Sequence, residues 1–318
     1  MKNISSNIIS ALLFVSLASC EHKDIMWPGE SVREVTVKFE WDNAPDADPE
    51  GMSLYFFPQS PYGEVWKFDI TGREGGTVEL PTGDYQMVAY NTGVQGVKIE
   101  GTDSYESIMA AAMSTGKEGV VTPVGTMYGA TVSHIEVTEC GVRYITSAGT
   151  IKECGQSLVR CIPDSITTDY TVIVKNVEGT AGVSTVRAYL EGVGSGIFLS
   201  DLNVSGVPST VAFPLSVDND HNLFYGKSCA FSSFGKRNSY DLQIAVTFSN
   251  HKTIARKYDV TAQVVNSHSM RNVLIIVDGL SIPHPGDPDY PDDDIGGIDT
   301  DVEGWVTIET DILVDIIP

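Results

Sequence analysis

The sequence predicts an all-β fold of two antiparallel β domains, each a sandwich or a barrel, behind an export signal. Three observations carry that reading. In R-E-V-T-V-K-F-E-W, residues 33–41, apolar and polar side chains alternate with period two. Val35, Val37, Phe39 and Trp41 fall on one face, and Thr36, Lys38 and Glu40 on the other, as in a half-buried strand. Short apolar runs recur down the chain between Gly, Pro and Asp clusters, the spacing of sandwiches and barrels. Helical periodicity is nearly absent, which argues against α/β enzyme folds.

The first residues, MKNISSNIISALLFVSLASCEHKD, explain where such a fold is delivered. Lys2 is a positive n-region, and residues 8–19 form an apolar stretch shorter than the roughly 20 residues a spanning helix needs. Ala18 and Ser19 lead into Cys20 as small residues lead into a cleavage site. Leu17-Ala18-Ser19-Cys20 resembles a bacterial lipobox, in which the cysteine sulfur is lipidated and the bond before it is cut. Three acyl chains exceed the two signals that stable anchoring requires. Residues 1–19 are therefore expected to be a signal peptide, and residues 20–32, with their Pro-Gly break, a lipidated tether.

The formal charge is −22, and loss of residues 1–19 removes only Lys2, making the mature chain one unit more negative. A surface this acidic excludes nucleic acid, whose phosphates call for clustered Lys and Arg. It is also repelled by anionic head groups, so lipid rather than charge would hold the protein at a membrane. After Cys20, four cysteines remain: Cys140, Cys154, Cys161 and Cys229. They form no C-x-x-C pair, and no histidine stands at zinc-finger spacing. In an oxidising compartment Cys140 pairs locally with Cys154 or Cys161, or all four stay as buried thiols; their connectivity is not set by the sequence.

The strands continue as M-S-L-Y-F-F, E-V-W-K-F-D-I, G-G-T-V-E-L and G-D-Y-Q-M-V-A-Y-N, then Y-G-A-T-V-S-H-I-E-V and S-L-V-R-C-I. Between them D-S-Y-E-S-I-M-A-A-A-M, residues 103–113, predicts a short helix or lid, with Asp103 as its N-cap. PDSITTD, residues 163–169, is the expected linker. A second series follows: Y-T-V-I-V-K-N-V, S-T-V-R-A-Y-L-E-G-V, S-T-V-A-F-P-L, Y-D-L-Q-I-A-V-T-F, I-A-R-K-Y-D-V and N-V-L-I-I-V. The expected domains are thus 33–162 and 170–318, both of ordinary size. The second carries a Pro/Asp/Gly arm over 281–297 and a final strand over 305–314, with Trp305, Val306, Ile308 and Ile312 as its apolar residues. A strand beyond such an arm can close its own sheet or reach another molecule's edge.

No catalytic constellation stands out. Gly226-Lys227-Ser228 has His221 where a phosphate loop needs glycine, and it lacks a strand-to-helix setting. G-V-G-S-G at 192–196 lacks the spacing of a nucleophile elbow, and the histidines form no H-E-x-x-H. Asp287, Asp289 and Asp292 offer hard oxygens to calcium, but Pro291 occupies a ligand position and Asp292 replaces the EF-hand glycine. A solvated acidic arm is the stronger reading. Tyr62, Trp66 and Tyr290 are the aromatics available for sugar stacking, with Trp66 on an alternating strand. The expectation is a non-enzyme without cofactor or bound metal.

The lipobox at Cys20, the early V-T-V-K-F-E-W strand, D-A-D-P-E-G-M-S-L-Y-F-F-P, L-P-T-G-D-Y-Q-M-V-A-Y-N and the ending G-G-I-D-T-D-V-E-G-W-V-T-I are together similar to a Bacteroides fimbrillin-like lipoprotein family related to type V pili. The resemblance implies two tandem transthyretin-like sandwiches on an outer-membrane, surface-exposed lipoprotein. In type V pilins a protease cuts after an arginine that follows the first strand, and the vacated groove takes a donor strand from the next subunit. Here Arg33 precedes the corresponding strand, and the next arginine is Arg73. The departure implies an anchor or accessory subunit: Val35, Val37, Phe39 and Trp41 plug the first sandwich, and the 305–314 strand completes or extends the second. Expected partners are other fimbrillin-like subunits or, as the competing reading, glycans. Asp164-Ser165-Ile166 resembles the motif at which Bacteroidales O-glycosylate exported proteins, making Ser165 a glycosylation candidate.

Overall fold

A computed structural model describes residues 31–145, 151–152, 157–205, 207–231, 239–269, 271–284 and 305–308. The expected signal peptide, Cys20, Cys154, Tyr290, the acidic arm residues Asp287, Asp289 and Asp292, and Ile312 lie outside them.

The first half of the chain gives β1 (Val32–Phe39), β2 (Gly51–Pro58), β3 (Trp66–Thr71), β4 (Gly75–Pro81), β5 (Gly83–Asn91), β6 (Val97–Glu100), β7 (Met109–Ala112), β8 (Val120–Val121), β9 (Tyr128–Thr138), β10 (Gly141–Ile145), β11 (Ile151–Lys152), β12 (Leu158–Cys161) and β13 (Asp164–Ser165). The second half gives β14 (Thr168–Glu178), β15 (Val183–Gly194), β16 (Gly196–Phe198), β17 (Pro208–Asp218), β18 (Leu223–Ala230), β19 (Asp241–Phe248), β20 (Thr253–Asp259), helix α1 (Thr261–Val265), β21 (Asn272–Ser281) and β22 (Trp305–Ile308).

In the first sandwich a sheet of order β12-β1-β4 faces a sheet of order β11-β10-β9-β5-β2-β3. Between them lie Val35, Val37, Phe39, Leu54, Phe56, Leu80, Met87 and Ile135, all essentially buried. The second sandwich is one continuous path, β21-β14-β18-β17-β15-β19-β20-β22. It turns at β17, which pairs with β18 through Ser216–Asp218 and with β15 over most of its length. Its core includes Tyr170, Val172, Phe213, Phe224, Ile244, Phe248 and Ile275.

Most pairings are antiparallel, as alternation leads one to expect. Three are parallel: β1 with β12, β14 with β21, and β8 with β17. The first two share a logic. In each sandwich the opening strand lies beside a late one, β12 in the first and β21 in the second.

Two sequence expectations change here. Residues 103–113 form no helix. Asp103–Ser107 is a turn in which Ser107 N–H donates to Ser104 Oγ at 3.2 Å, and Met109–Ala112 is strand β7. Tertiary pairing overrides the helix propensity of the alanines, because β7 lies between β6 and β16 in a third sheet. The stretch 163–169 is the second. It joins the two sandwiches without being an open connector: Asp164 and Ser165 pair with Gly129 and Tyr128 of β9, and Ile166, Thr167 and Thr168 are buried.

The third sheet draws strands from both halves, β6 and β7 from the first and β16 from the second. Behind it sits a third core of Tyr55, Phe57, Val88, Tyr90, Ile108, Ala110, Met127, Ile197, Leu199 and Phe231. Tyr55 stacks on Phe57 with centroids 5.9 Å apart and on Tyr90 at 6.1 Å. This explains why β2 is buried along nearly its whole length. Met52, Leu54 and Phe56 fill the first sandwich, and Tyr55 and Phe57 fill the junction behind it.

Candidate strand-assembly site

The strand singled out by alternation is the middle strand of its sheet. β1 pairs antiparallel with β4 from Val32↔Pro81 to Lys38↔Gly75, and parallel with β12 from Thr36↔Leu158 to Phe39↔Cys161. Val35, Val37 and Phe39 are 0%, 1% and 2% exposed. Each such side chain contributes about 1.5–3 kcal/mol when fully buried.

Trp41 closes the end of this strand. Its Nε1–H donates to the Arg73 carbonyl at 2.7 Å, while the Arg73 guanidinium lies over the indole at 5.3 Å from the centroid. The same guanidinium donates to the Pro45 carbonyl. Tyr128 meets the indole edge-on at 5.5 Å. Arg73 is therefore engaged by its ring contact and its hydrogen bonds, and Arg33 sits inside the β1–β4 ladder with its side chain paired to Glu139.

Gly75 shows how closely β4 approaches. At φ +109°, a Cβ built there would stand 2.0 Å from the Val37 carbonyl oxygen and 3.0 Å from Lys38 Cα. Only glycine allows this approach and this backbone conformation together.

The last described strand, β22, lies in the other sandwich. It pairs antiparallel with β20 from Thr253↔Ile308 to Arg256↔Trp305 and forms the end of that sheet. Trp305, Val306 and Ile308 are thus at a sheet edge, remote in the topology from the Val35–Trp41 strand. The two predicted strand elements are not brought together. Ser165 lies between the sandwiches, half-buried, with its hydroxyl donating to the Thr167 carbonyl at 3.1 Å.

An element of the junction left no sequence signal. Arg271 pairs with Asp164, donates to the Asn43 carbonyl at 2.8 Å, and accepts from Asp169 N–H through its own carbonyl at 2.8 Å. One residue thereby ties the entry of β21 to the connecting segment and to a loop of the first sandwich.

Cys140, Cys161 and Cys229 are free thiols, so the Cys140–Cys161 pairing is not made. Burial raises the Cys161 thiol far above its ordinary value and pushes Cys229 up to about 12. At neutral pH that keeps Cys229 in the unreactive thiol form. Peptide mapping after alkylation at neutral pH is expected to show Cys140, which is exposed, modified first, with Cys161 and Cys229 unmodified until denaturant is added. The preference of both sites for the neutral thiol stabilises the fold below the unfolded-state value of about 8.5. That stabilisation is lost as pH rises through and above it.

Trp66 is half-buried against the first core and Tyr62 is 94% exposed; the two do not form a stacked platform. Gly226-Lys227-Ser228 lies within β18, so no helix follows it. Among the described residues no group of three or more His, Cys, Asp or Glu is placed to hold a metal ion. Among them, too, no helix is long and apolar enough to cross a membrane.

The fold and its edges thus define a two-domain β-sandwich protein whose distinctive geometry lies in strand pairing. The chain belongs to the family described as a domain of unknown function, DUF5119, which it matches over residues 19–214. Over 104 residues it is 35% identical to a Bacteroides ovatus protein named "Putative fimbrium anchoring subunit Fim4B". That alignment takes in 32% of this chain and 30% of the relative, so the match spans less than a third of this curated protein's length. Among solved structures, a "putative adhesin" from Bacteroides ovatus superposes with a TM-score of 0.63 at 19% identity, covering 82% of this chain and 95% of that one. The fimbrial anchor protein Mfa2 from Porphyromonas gingivalis superposes with a TM-score of 0.50 at 11% identity, covering 77% and 91%. At these identities the superpositions establish a shared fold.

Proposed function

We propose that the protein is an anchor or accessory subunit of a fimbrial assembly, held at the cell surface by lipid on Cys20 in the outer membrane and joined to other fimbrillin-like subunits through strand edges. The observation that carries this reading is the occupied groove. β1 is seated between β4 and β12 with its apolar face fully buried, so the first sandwich offers no vacancy for a donor strand. Cleavage after Arg33 would leave the rest of β1 in its ladders. A stalk subunit needs an opening there, whereas an anchor does not. The partial match to a protein named for fimbrium anchoring supports the same role, and the geometry of strand pairing requires no catalysis.

The test is cross-linking of intact cells followed by mass spectrometry. Adducts with another fimbrillin-like lipoprotein that map to 305–308 or to the β20 edge are the expected result. Surface exposure without any protein adduct would overturn it.

A second reading, glycan capture, is favoured by one feature. A groove of about 410 Å³ beside the third sheet is lined by Tyr105 and Phe198 together with Gln86, Glu106, Ser200 and Asp201, an aromatic and polar mixture of the kind sugars use. Binding on a glycan array that is lost in Phe198→Ala would support that alternative.

A further inference from the structure

The outer edge of β21 is capped by side chains at two positions, Asn272 and Ile276. Among the described residues β21 has a strand neighbour on one side only, β14. Asp169 N–H donates to the Arg271 carbonyl, and Asp169 is in register with Asn272. By the geometry of a parallel ladder, Val273, Ile275 and Val277 turn their backbone groups toward β14, while Asn272, Leu274 and Ile276 turn theirs outward.

At Ile276 the Gln263 amide supplies both halves of a strand pairing. Ile276 N–H donates to Gln263 Oε1 at 2.7 Å, and Gln263 Nε2–H donates to the Ile276 carbonyl at 3.0 Å. At Asn272 two serines do the same. Asn272 N–H donates to Ser269 Oγ at 3.2 Å, and Ser267 Oγ–H, donating chiefly to the Ser269 carbonyl at 3.0 Å, also reaches the Asn272 carbonyl at 3.4 Å.

A primary amide presents a donor and an acceptor much as a peptide group does, so Gln263 stands in for one residue of a neighbouring strand. Its position is fixed by α1. Val264 is fully buried, and Thr261 Oγ1 accepts from Tyr240 N–H at 2.8 Å.

We propose that α1 and the turn after it are an edge guard. Gln263, with Ser267 and Ser269, occupies the backbone groups of β21 that a strand from a second copy of this chain would otherwise take. The guarded edge is suited to such pairing. Leu274, between the two capped positions, is 48% exposed, and Val265 of the guard itself is 55% exposed. Opened, the edge would present unpaired amides beside apolar side chains, the setting in which sheets join edge to edge. The other end of the same sheet is closed by main chain, β22 on β20, so the guard leaves that end as the place where one strand can replace another. The proposal concerns the isolated chain and stands apart from the fimbrial reading.

The test uses the full chain carrying Gln263→Ala, with amide exchange read at Ile276 and mass read by sedimentation. Exchange at Ile276 is expected to rise roughly tenfold, the equivalent of about 1.4 kcal/mol, and a concentration-dependent dimer is expected to form. Adding Ile276→Pro should return the protein to monomer. The Ile276 N–H faces outward, so proline there removes the edge donor without taking a bond from the β14 ladder. A Gln263→Ala protein that stays monomeric, or a dimer that Ile276→Pro fails to reverse, overturns the proposal. If Gln263→Ala does not fold, Gln263→Glu keeps the acceptor for Ile276 N–H and loses the donor. That variant should dimerise more weakly, and its remaining monomeric would equally overturn the proposal.

Discussion

Val37→Asp is expected to unfold the first sandwich. Val37 is 1% exposed in the middle strand of its sheet, and a carboxylate there would be buried within the largely apolar first core. Leaving a buried charge uncompensated costs about 3–5 kcal/mol, a large share of the 5–15 kcal/mol that separates most folded domains from their unfolded chains. Hydrogen exchange should show protection lost across β1, β4 and β12 and retained in β14, β18 and β21. Gly75→Ala should act in the same direction by pushing on the Val37 carbonyl. Full protection of β1 in Val37→Asp would mean that this strand does not hold the sandwich together.

Phe231→Ala is expected to loosen the junction between the sandwiches. Phe231 is fully buried in the third core, and its carbonyl accepts from Gly194 N–H at 2.7 Å. Phe→Ala in a packed core costs about 3–5 kcal/mol. Because the lost contacts lie between the halves, the wild-type melt should be a single transition and the variant melt should divide into two. A variant that still melts in one step would show that Arg271 and the β13–β9 pairing suffice to couple the halves.

How far the fold could be read from residues depends on whether the signal is local. The alternation of Val35, Val37, Phe39 and Trp41 is local, and the structure places all four in the core. The major strands of the second half, from Tyr170 to Val277, were legible for the same reason. β18 was not, because its apolar Phe224 and Ala230 are interrupted by Gly226 and Lys227, and it is a strand through its partners β14 and β17. The stretch M-A-A-A reads as helix by propensity, and its partners in the third sheet come from about 10 and 85 residues away in sequence. Composition marked 163–169 as a connector, but the pairing of Asp164 with Gly129 is a matter of register. Gln263 shows the limit most clearly: one glutamine in a five-residue helix has no pattern, and its role exists only because Ile276 lies opposite.

The seating of β1 also has a mechanical consequence. A pull applied along the axis of β1 runs across the ladder bonds to β4 and β12. Such a load shears the strand, so its ladder bonds on both sides must fail together. It cannot open them one at a time, as a load that peels a strand from a sheet edge would. β22, four residues at the end of its sheet, is loaded in the peeling direction by any force drawn away from β20. Under load, β1 is therefore set to resist by shear and β22 to yield by peeling.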